Sequence, residues 1–477
     1  MQAGSLHHVG QASSRPFLVM KKSASVEALF KRTALGIKPG LEVVTDLLQA
    51  LDNPQRKLAV IHVAGTNGKG SVCAMLESVL RASGYKTGLY TSPHLIDFSE
   101  RFCINGIPVE EKRLEHYIAR VEAAASSLDG RPATFFEIST AMAYQYFADE
   151  GVDIAIIETG MGGRWDATNV IIPLVSVITH IDIDHTHFLG DRIEQIAAEK
   201  AGIIKAGRPV VSAPQSEAVM EVLRKEGAAI ICSSEAISVV RVDGASSSVG
   251  KNKKTSGKKL HPLGSAEHRV EPNGAGDCTE QKQSSVYASQ KLKIETHSRN
   301  LPPIHLPLLG ECQRENCAVA VAALEVLADM LDMEPAFKKG LEAVEWGARF
   351  QTLQTDPLVI LDGAHNPSAG RALAKTLKEV YPRHQIGFIF GFLDDKESVE
   401  FLRAVKPLVY QAWTVSIDAP RGTTAEHSAT QCNVAGIEAR PETVSTAWNV
   451  ACAWAAAAPK RLVVITGSLY LKQALQK

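Results

Sequence analysis

The chain has 477 residues, of which 45% are hydrophobic and 22% charged, with a formal net charge of −1; that length suggests two or three domains. Near-neutral charge excludes an overall basic field for nucleic acid or an anionic membrane surface, and no apolar run reaches the ~20 residues a bilayer span needs. Eight cysteines stand singly with no C-x-x-C, which argues against a structural zinc site or a disulfide framework and suits a reducing compartment.

The first 25 residues contain no Asp or Glu but do contain Arg15, Lys21, Lys22 and five serines. A disordered tail on a cytoplasmic protein is the first reading, and a mitochondrial transit segment the alternative. From about residue 58, short β-branched runs alternate with helical patterns. LAVIHV (58–63), TGLY (87–90), DIAIIE (153–158), LVSVIT (174–179) and RPVVSA (208–213) read as buried strands. Such alternation predicts a parallel sheet covered on both faces.

Between the first strand and its helix lies HVAGTNGKGS (62–71). The familiar phosphate loop is G-x-x-x-x-G-K-[ST]. Here Gly65 precedes Gly68 by only three residues, Gly70 follows Lys69, and the hydroxyl comes one place late at Ser71. The context is nevertheless that of a phosphate site: a buried strand, glycines, then a helix start whose N–H groups face an anion, with Lys69 as a compact charge for the β- and γ-phosphates.

Glu158 ends a strand, where α/β sheets place their ligands, and a carboxylate there beside a phosphate loop is a natural Mg²⁺ ligand. The glycines 160, 162 and 163 behind it allow close backbone approach to a substrate. THIDIDHTHFLGD (179–191) then gathers His180, Asp182, Asp184, His185 and His187, with metal or phosphate chemistry and a structural role equally open. In the helix that follows, Asp191 is the expected N-cap with Glu194 as its partner, and Gly202 ends it. Ile193, Ile196, Ala197 and Lys200 share its core-facing stripe. A lysine there snorkels, pairs or loses its charge, and a neutral amine is open to carbamylation.

Residues 244–284 are rich in Ser, Gly and Lys and read as a flexible insertion. Its KNKKTSGKK cluster reads as a solvated loop rather than a polyanion site. Strand-like SVYASQKLKIETH and IHLPLL follow, then a helix, NCAVAVAALEVLADML, and a second α/β pattern with strands PLVILD (357–362), QIGFIFG (385–391) and RLVVITG (461–467). Asp362 and His365 of DGAHNP stand at a strand end, suited to a ribose or phosphate or to plain turn chemistry. The expected division is a domain of residues 1–310 and another of 311–477.

Taken together, HVAGTNGKGS, TSPHL (91–95), ETGMGGRWDATN, DHTHFLGD, EKAGIIK, DGAHNP and GSLYL closely resemble the folylpolyglutamate synthase/dihydrofolate synthase family of the Mur ligase superfamily, from about residue 30 to the C-terminus. The resemblance implies an α/β chain with a P-loop parallel-sheet ATPase domain and a smaller, Rossmann-like C-terminal α/β domain. It implies a ligase that uses ATP and Mg²⁺ to turn a carboxylate into an acyl phosphate, which the amine of L-glutamate attacks. The acid is dihydropteroate, a reduced folate such as tetrahydrofolate, or both; dihydrofolate synthesis alone is the narrower alternative. A cell-wall Mur ligase fits less well, because only about 57 residues precede the phosphate-loop strand. A catalytically silent nucleotide-binding protein is the alternative from outside the enzymes. Small molecules, not nucleic acid or membrane, are the expected partners, and a monomer the expected state.

Residue by residue, the resemblance assigns Gly65, Thr66, Asn67, Gly68, Lys69, Gly70 and Ser71 to the ATP phosphates. Ser92, Glu158 and His185 become Mg²⁺ ligands, and Lys200 the carbamylated lysine, with Lys69, Lys200 and His185 in catalytic roles. Asn316, Arg349, Asp362 and His365 would bind ATP from the second domain, and Phe136, Asp166 and Ala167 the pterin. Two departures stand out: Cys312 replaces a histidine in Gly310-Glu-Cys-Gln-Arg-Glu-Asn316, and Trp346-Gly-Ala-Arg349 replaces W-P-G-R.

Overall fold

The computed structural model describes residues 23–36, 38, 40–128, 130–226, 229–242, 289–394, 397–419 and 421–475. The expected insertion at 244–284, its lysine cluster and the acid-free segment before residue 23 lie outside them. Within the described residues the larger sheet has eight strands. In spatial order they are Ile107–Pro108, Phe102–Ile104, Thr87–Tyr90, Ile154–Glu158, Ala59–Ala64, Val175–Ile178, Val210–Ser212 and Ile230–Cys232. The strands from Thr87 onward in that order are parallel, and the two short edge strands pair antiparallel.

Alternate residues of the central strands feed two different cores, as a pleat buried on both faces requires. Ile61, Val63, Ile154, Ile156, Val175 and Val177 face the helices Lys69–Ala82 and Glu311–Leu331. Val60, Ala155 and Ile157 face the opposite layer, built on Glu42–Ala50, Glu111–Ala125 and Phe135–Asp149. The last of these helices starts four residues before the expected STAMAYQYF pattern. Thr134 and Glu137 close a capping box there, with Glu137 Oε2 accepting from Thr134 N at 2.7 Å.

The second sheet runs Gln351–Thr355, Leu358–Leu361, Arg461–Thr466, Gln385–Phe390, Val409–Val415 and Arg440–Glu442, parallel except for its first strand. Three of these strands coincide with the expected ones to within a residue at each end. A small antiparallel sheet of Ile304–Leu306, Gln290–Thr296 and Ile237–Arg241 adds its apolar residues to the core of the first sheet. The core of the first sheet does not stop at residue 310: Cys317, Val321, Leu324, Phe337, Leu341 and Val344 belong to it. We therefore propose the domain boundary at 345–350, rather than at 310, because an apolar helix packed on the first sheet folds with that sheet.

Candidate active site

Strand Ala59–Ala64 lies between the Glu158 strand and Val175–Ile178, with Val63 opposite both Glu158 and Val177. The ends of these three strands therefore deliver the phosphate loop, Glu158 and the 179–185 segment to one place. The loop is pinned from the third strand: Thr66 N and Asn67 N donate to His180 O at 2.8 and 3.1 Å, and Thr66 Oγ1 donates to Asp182 O at 2.9 Å. Lys69 Nζ reaches back across the loop to Gly65 O at 3.0 Å and Thr66 O at 3.2 Å.

The glycine spacing now has a physical cause. Gly68 adopts φ +94°, and a Cβ there would stand 2.3 Å from Asn316 Oδ1. At Gly70 a Cβ would meet Trp346 Cζ2 at 2.7 Å. Two side chains from beyond residue 310 thus close on the loop, and the residue after Lys69 has no room for a serine. The first hydroxyl, Ser71, is 1% exposed and its Oγ has no hydrogen-bond partner. A buried hydroxyl left unpaired costs stability unless a ligand satisfies it.

Lys200 enters the same place from the helix Ile193–Ala201. That helix starts one residue later than expected, with Gln195 Oε1 accepting from Arg192 N in place of an Asp191/Glu194 box; Gly202 ends it as expected. Ile196, Ala197 and Lys200 are buried, and Lys200 Nζ donates to Gly65 O at 2.9 Å. Burial, helped by the Lys69 charge, pulls its amine down to about 7, against the pull of Asp184 and Asp166.

Glu158 is buried, and its Oε2 accepts from Ser92 N at 3.1 Å. Burial raises its carboxyl above the ordinary range, while Lys69, the Ser92 N–H, Arg349 and Arg101 oppose the rise. Among the described residues no group of three His, Cys, Asp or Glu comes together as a ready-made metal cage. The donors that are present suit Mg²⁺ instead, which takes one or two carboxylates and otherwise water and substrate phosphate oxygens. Glu158 supplies the carboxylate, and the unpaired Ser71 Oγ lies at the start of the phosphate-loop helix.

Beside this centre a cleft of about 370 Å³ opens between the two domains. Ser92, Phe136, Asp166, Ala167 and His185 line it from one side and His365 from the other. Asp166 acts within its own loop: Oδ2 accepts from Gly160 N and Met161 N, both at 2.9 Å, and Oδ1 from Thr168 N and Thr168 Oγ1 at 3.0 and 2.5 Å. Its carboxylate shapes the glycine loop that forms the cleft wall. Asp362 is likewise spent on backbone, accepting from Phe350 N and Ala364 N at 2.9 Å each. Arg349 Nη1 lies over Gly363 and donates to Ala348 O at 2.9 Å. Cys312, in the place of the family histidine, is a thiol pushed up to about 12, chiefly by burial.

The sequence reading missed Arg101 and Trp165. Arg101 is buried in the cleft wall, 5.1 Å from the Phe135 ring centroid, with Nε donating to His94 Nδ1 at 3.0 Å. Trp165 is half exposed into the same space. The aromatic letter in GGRWDATN was the available signal for the tryptophan; nothing in SERF distinguished the arginine from a surface residue.

Among known proteins, the Mur ligase middle domain matches residues 63–324, and the Mur ligase glutamate ligase domain matches residues 348–469. The dihydrofolate synthase/folylpolyglutamate synthase of Bacillus subtilis is 32% identical over 458 residues, spanning 94% of this chain and 96% of the relative. The folylpolyglutamate synthase of Lacticaseibacillus casei is 34% identical, with 91% of this chain and 93% of the relative covered. Escherichia coli FolC in complex with DHPP and ADP superposes with a TM-score of 0.76 at 28% identity, over 95% of this chain and 96% of that one. Mycobacterium tuberculosis folylpolyglutamate synthase complexed with ADP and AMPPCP gives 0.76 at 30% identity, over 94% and 98%. With both domains matched in order and relatives aligned along nearly the whole length, the chain belongs to the dihydrofolate synthase/folylpolyglutamate synthase family of Mur ligases.

Proposed function

We propose that the protein is an ATP-dependent ligase that adds L-glutamate to dihydropteroate and, in chain extension, to tetrahydrofolate. The observation that carries this reading is the phosphate loop, with its unpaired Ser71 hydroxyl, the half-buried Lys69 and the buried Lys200, opening beside an interdomain cleft with aromatic walls. The names of the relatives, several of them covering both activities, favour both reactions over dihydrofolate synthesis alone.

The carboxylate of the acid, held in the cleft, attacks the γ-phosphorus of ATP and ADP leaves. The amine of glutamate then attacks the acyl carbon, phosphate leaves and an amide remains. Positioning and electrostatics supply most of the rate. Lys69 turns from its loop carbonyls to the γ-phosphate, and the loop N–H groups and Ser71 hold the neighbouring oxygens. Asn316, Arg349 and His365 complete the nucleotide site from beyond the first sheet, and Asp362 holds the Phe350 and Ala364 backbone beside them. Glu158, with Ser92 and His185, would hold Mg²⁺, which would supply positive charge to offset that of the phosphoryl group. Phe136, Ala167 and the loop clamped by Asp166 receive the pterin.

Lys200 is the residue we assign to carbamylation. Near pH 7 its buried amine is partly neutral, and a neutral amine reacts with CO₂. The product is an anion, which replaces the repulsion from Lys69 by attraction. The seven described cysteines are free, in keeping with a reducing cytoplasm. No helix among the described residues is long and apolar enough to cross a membrane.

The test is ADP release with dihydropteroate or tetrahydrofolate, each with and without glutamate, and with Lys69→Ala as control. Release that requires both acid and glutamate is expected. No release under any combination overturns the ligase reading.

A further inference from the structure

Asp182 and Asp184, which the sequence left open as metal or phosphate ligands, are taken up by the C-terminal domain. Arg371 Nη2 bonds Asp182 Oδ2 at 3.1 Å, and Asn366 Nδ2 bonds Asp184 Oδ2 at 3.1 Å. Asn366 is 2% exposed and uses its whole amide. Its Oδ1 caps the helix Pro367–Val380 by accepting from Ala369 N at 2.8 Å. The amide also pairs reciprocally with Asn67 of the phosphate loop: Asn366 Nδ2 to Asn67 Oδ1 at 3.1 Å, and Asn67 Nδ2 to Asn366 Oδ1 at 3.3 Å.

One buried side chain therefore fixes the start of a C-terminal helix, the tip of the phosphate loop and the 182–184 segment relative to one another. His365, assigned to ATP from the second domain, is the preceding residue. The same helix repeats the interdomain contact every fourth residue, as its geometry allows: Lys375 pairs with Glu311, and Glu379 with Arg241 at 2.7 Å and Arg314 at 3.1 Å.

We propose that Asn366 is a positioning residue that couples the phosphate loop to the C-terminal domain, setting the closed arrangement in which both halves of the nucleotide site meet. This rests on the reading of the loop as the ATP site, but not on which acid is the substrate. Asn366 touches loop and helix rather than the reacting atoms, and acts through Asn67 and Asp184.

Asparagine and aspartate cap helices about equally well. Asn366→Asp therefore keeps the cap while removing both donors and setting a carboxylate against Asp184. Two buried hydrogen bonds lost at this junction predict a fall in kcat/KM for ATP of roughly ten- to a hundredfold, with KM for the acid changed by less than about threefold. Asp184→Asn in the same chain returns a donor to the new carboxylate, and the double variant is expected to recover to within about fivefold of the parent. A single variant with unchanged ATP kinetics, or a double variant no better than the single, overturns the proposal. ADP affinity measured by calorimetry without acid or glutamate should follow the same pattern of loss and recovery. If the parent binds ADP but ligates nothing, the proposed activity fails while this calorimetric test of Asn366 stands.

Discussion

Lys200 and Gly70 show how single positions carry the account. The Lys200 amine, held near 7 in the fold, returns to about 10.4 when the chain unfolds. Below about pH 7 it is charged in both states, and burying that charge costs stability. Between those two values the unfolded chain holds a proton that the folded chain does not, so folding stability rises with pH. In buffer free of bicarbonate, the parent should therefore gain stability relative to Lys200→Met as pH rises from about 7 to about 9. A constant difference in thermal unfolding across that range contradicts the placement. Ligation by Lys200→Met should fall roughly a hundredfold or more, as when a positioned electrostatic group is removed. Gly70→Ala puts a methyl against the Trp346 indole and is expected to cost about 1–3 kcal/mol, read by urea unfolding. Pairing it with Trp346→Leu should return part of that loss; no return means the indole is not the obstacle.

At the scale of elements, the buried parallel strands were legible because their β-branched runs end in turn residues, and boundaries such as Thr87–Tyr90 follow directly. Edge strands such as Gln351–Thr355 were not, since QTLQT has one apolar residue and owes its conformation to the neighbouring Leu358–Leu361 strand. The start of the Phe135–Asp149 helix was written in Thr134-x-x-Glu137, but periodicity alone placed it later. Trp346-Gly-Ala-Arg349 reads from sequence as an altered turn. In the structure Ala348 adopts φ +52° with no exposed surface, a left-handed conformation that costs a non-glycine residue about 1–2 kcal/mol. Ala348→Gly is expected to stabilise by about 0.5–1 kcal/mol once the extra freedom of glycine in the unfolded chain is subtracted. A lower urea midpoint in that variant contradicts the strain.

For the whole molecule, the sequence reading named residues that the fold brings together, Lys69, Glu158 and Lys200, but not the contacts that join the two domains around them. The motifs identified Lys69, Glu158 and Lys200 because each sits on a recognisable strand end or helix stripe. The contacts of Asn366 with Asn67 and of Trp346 with Gly70 were not legible, because the partners lie far apart in sequence. The outer contacts of the Pro367–Val380 helix are largely exposed ion pairs, with Arg371 and Lys375 side chains 62% and 63% accessible. Such pairs are worth about 0–1 kcal/mol each and are screened by salt. KM for ATP should therefore rise a fewfold between about 0.05 and about 0.5 M KCl, and less in an Arg371→Gln/Lys375→Gln variant. Equal salt sensitivity in both proteins would remove these pairs from the closure. The central claim is tested most directly by mass spectrometry of the product formed from dihydropteroate, ATP and L-glutamate. The account predicts a species heavier by one glutamyl residue, with one ADP formed per amide and none of the product from Lys69→Ala. Dihydropteroate recovered unchanged, while the protein binds ADP, would contradict it.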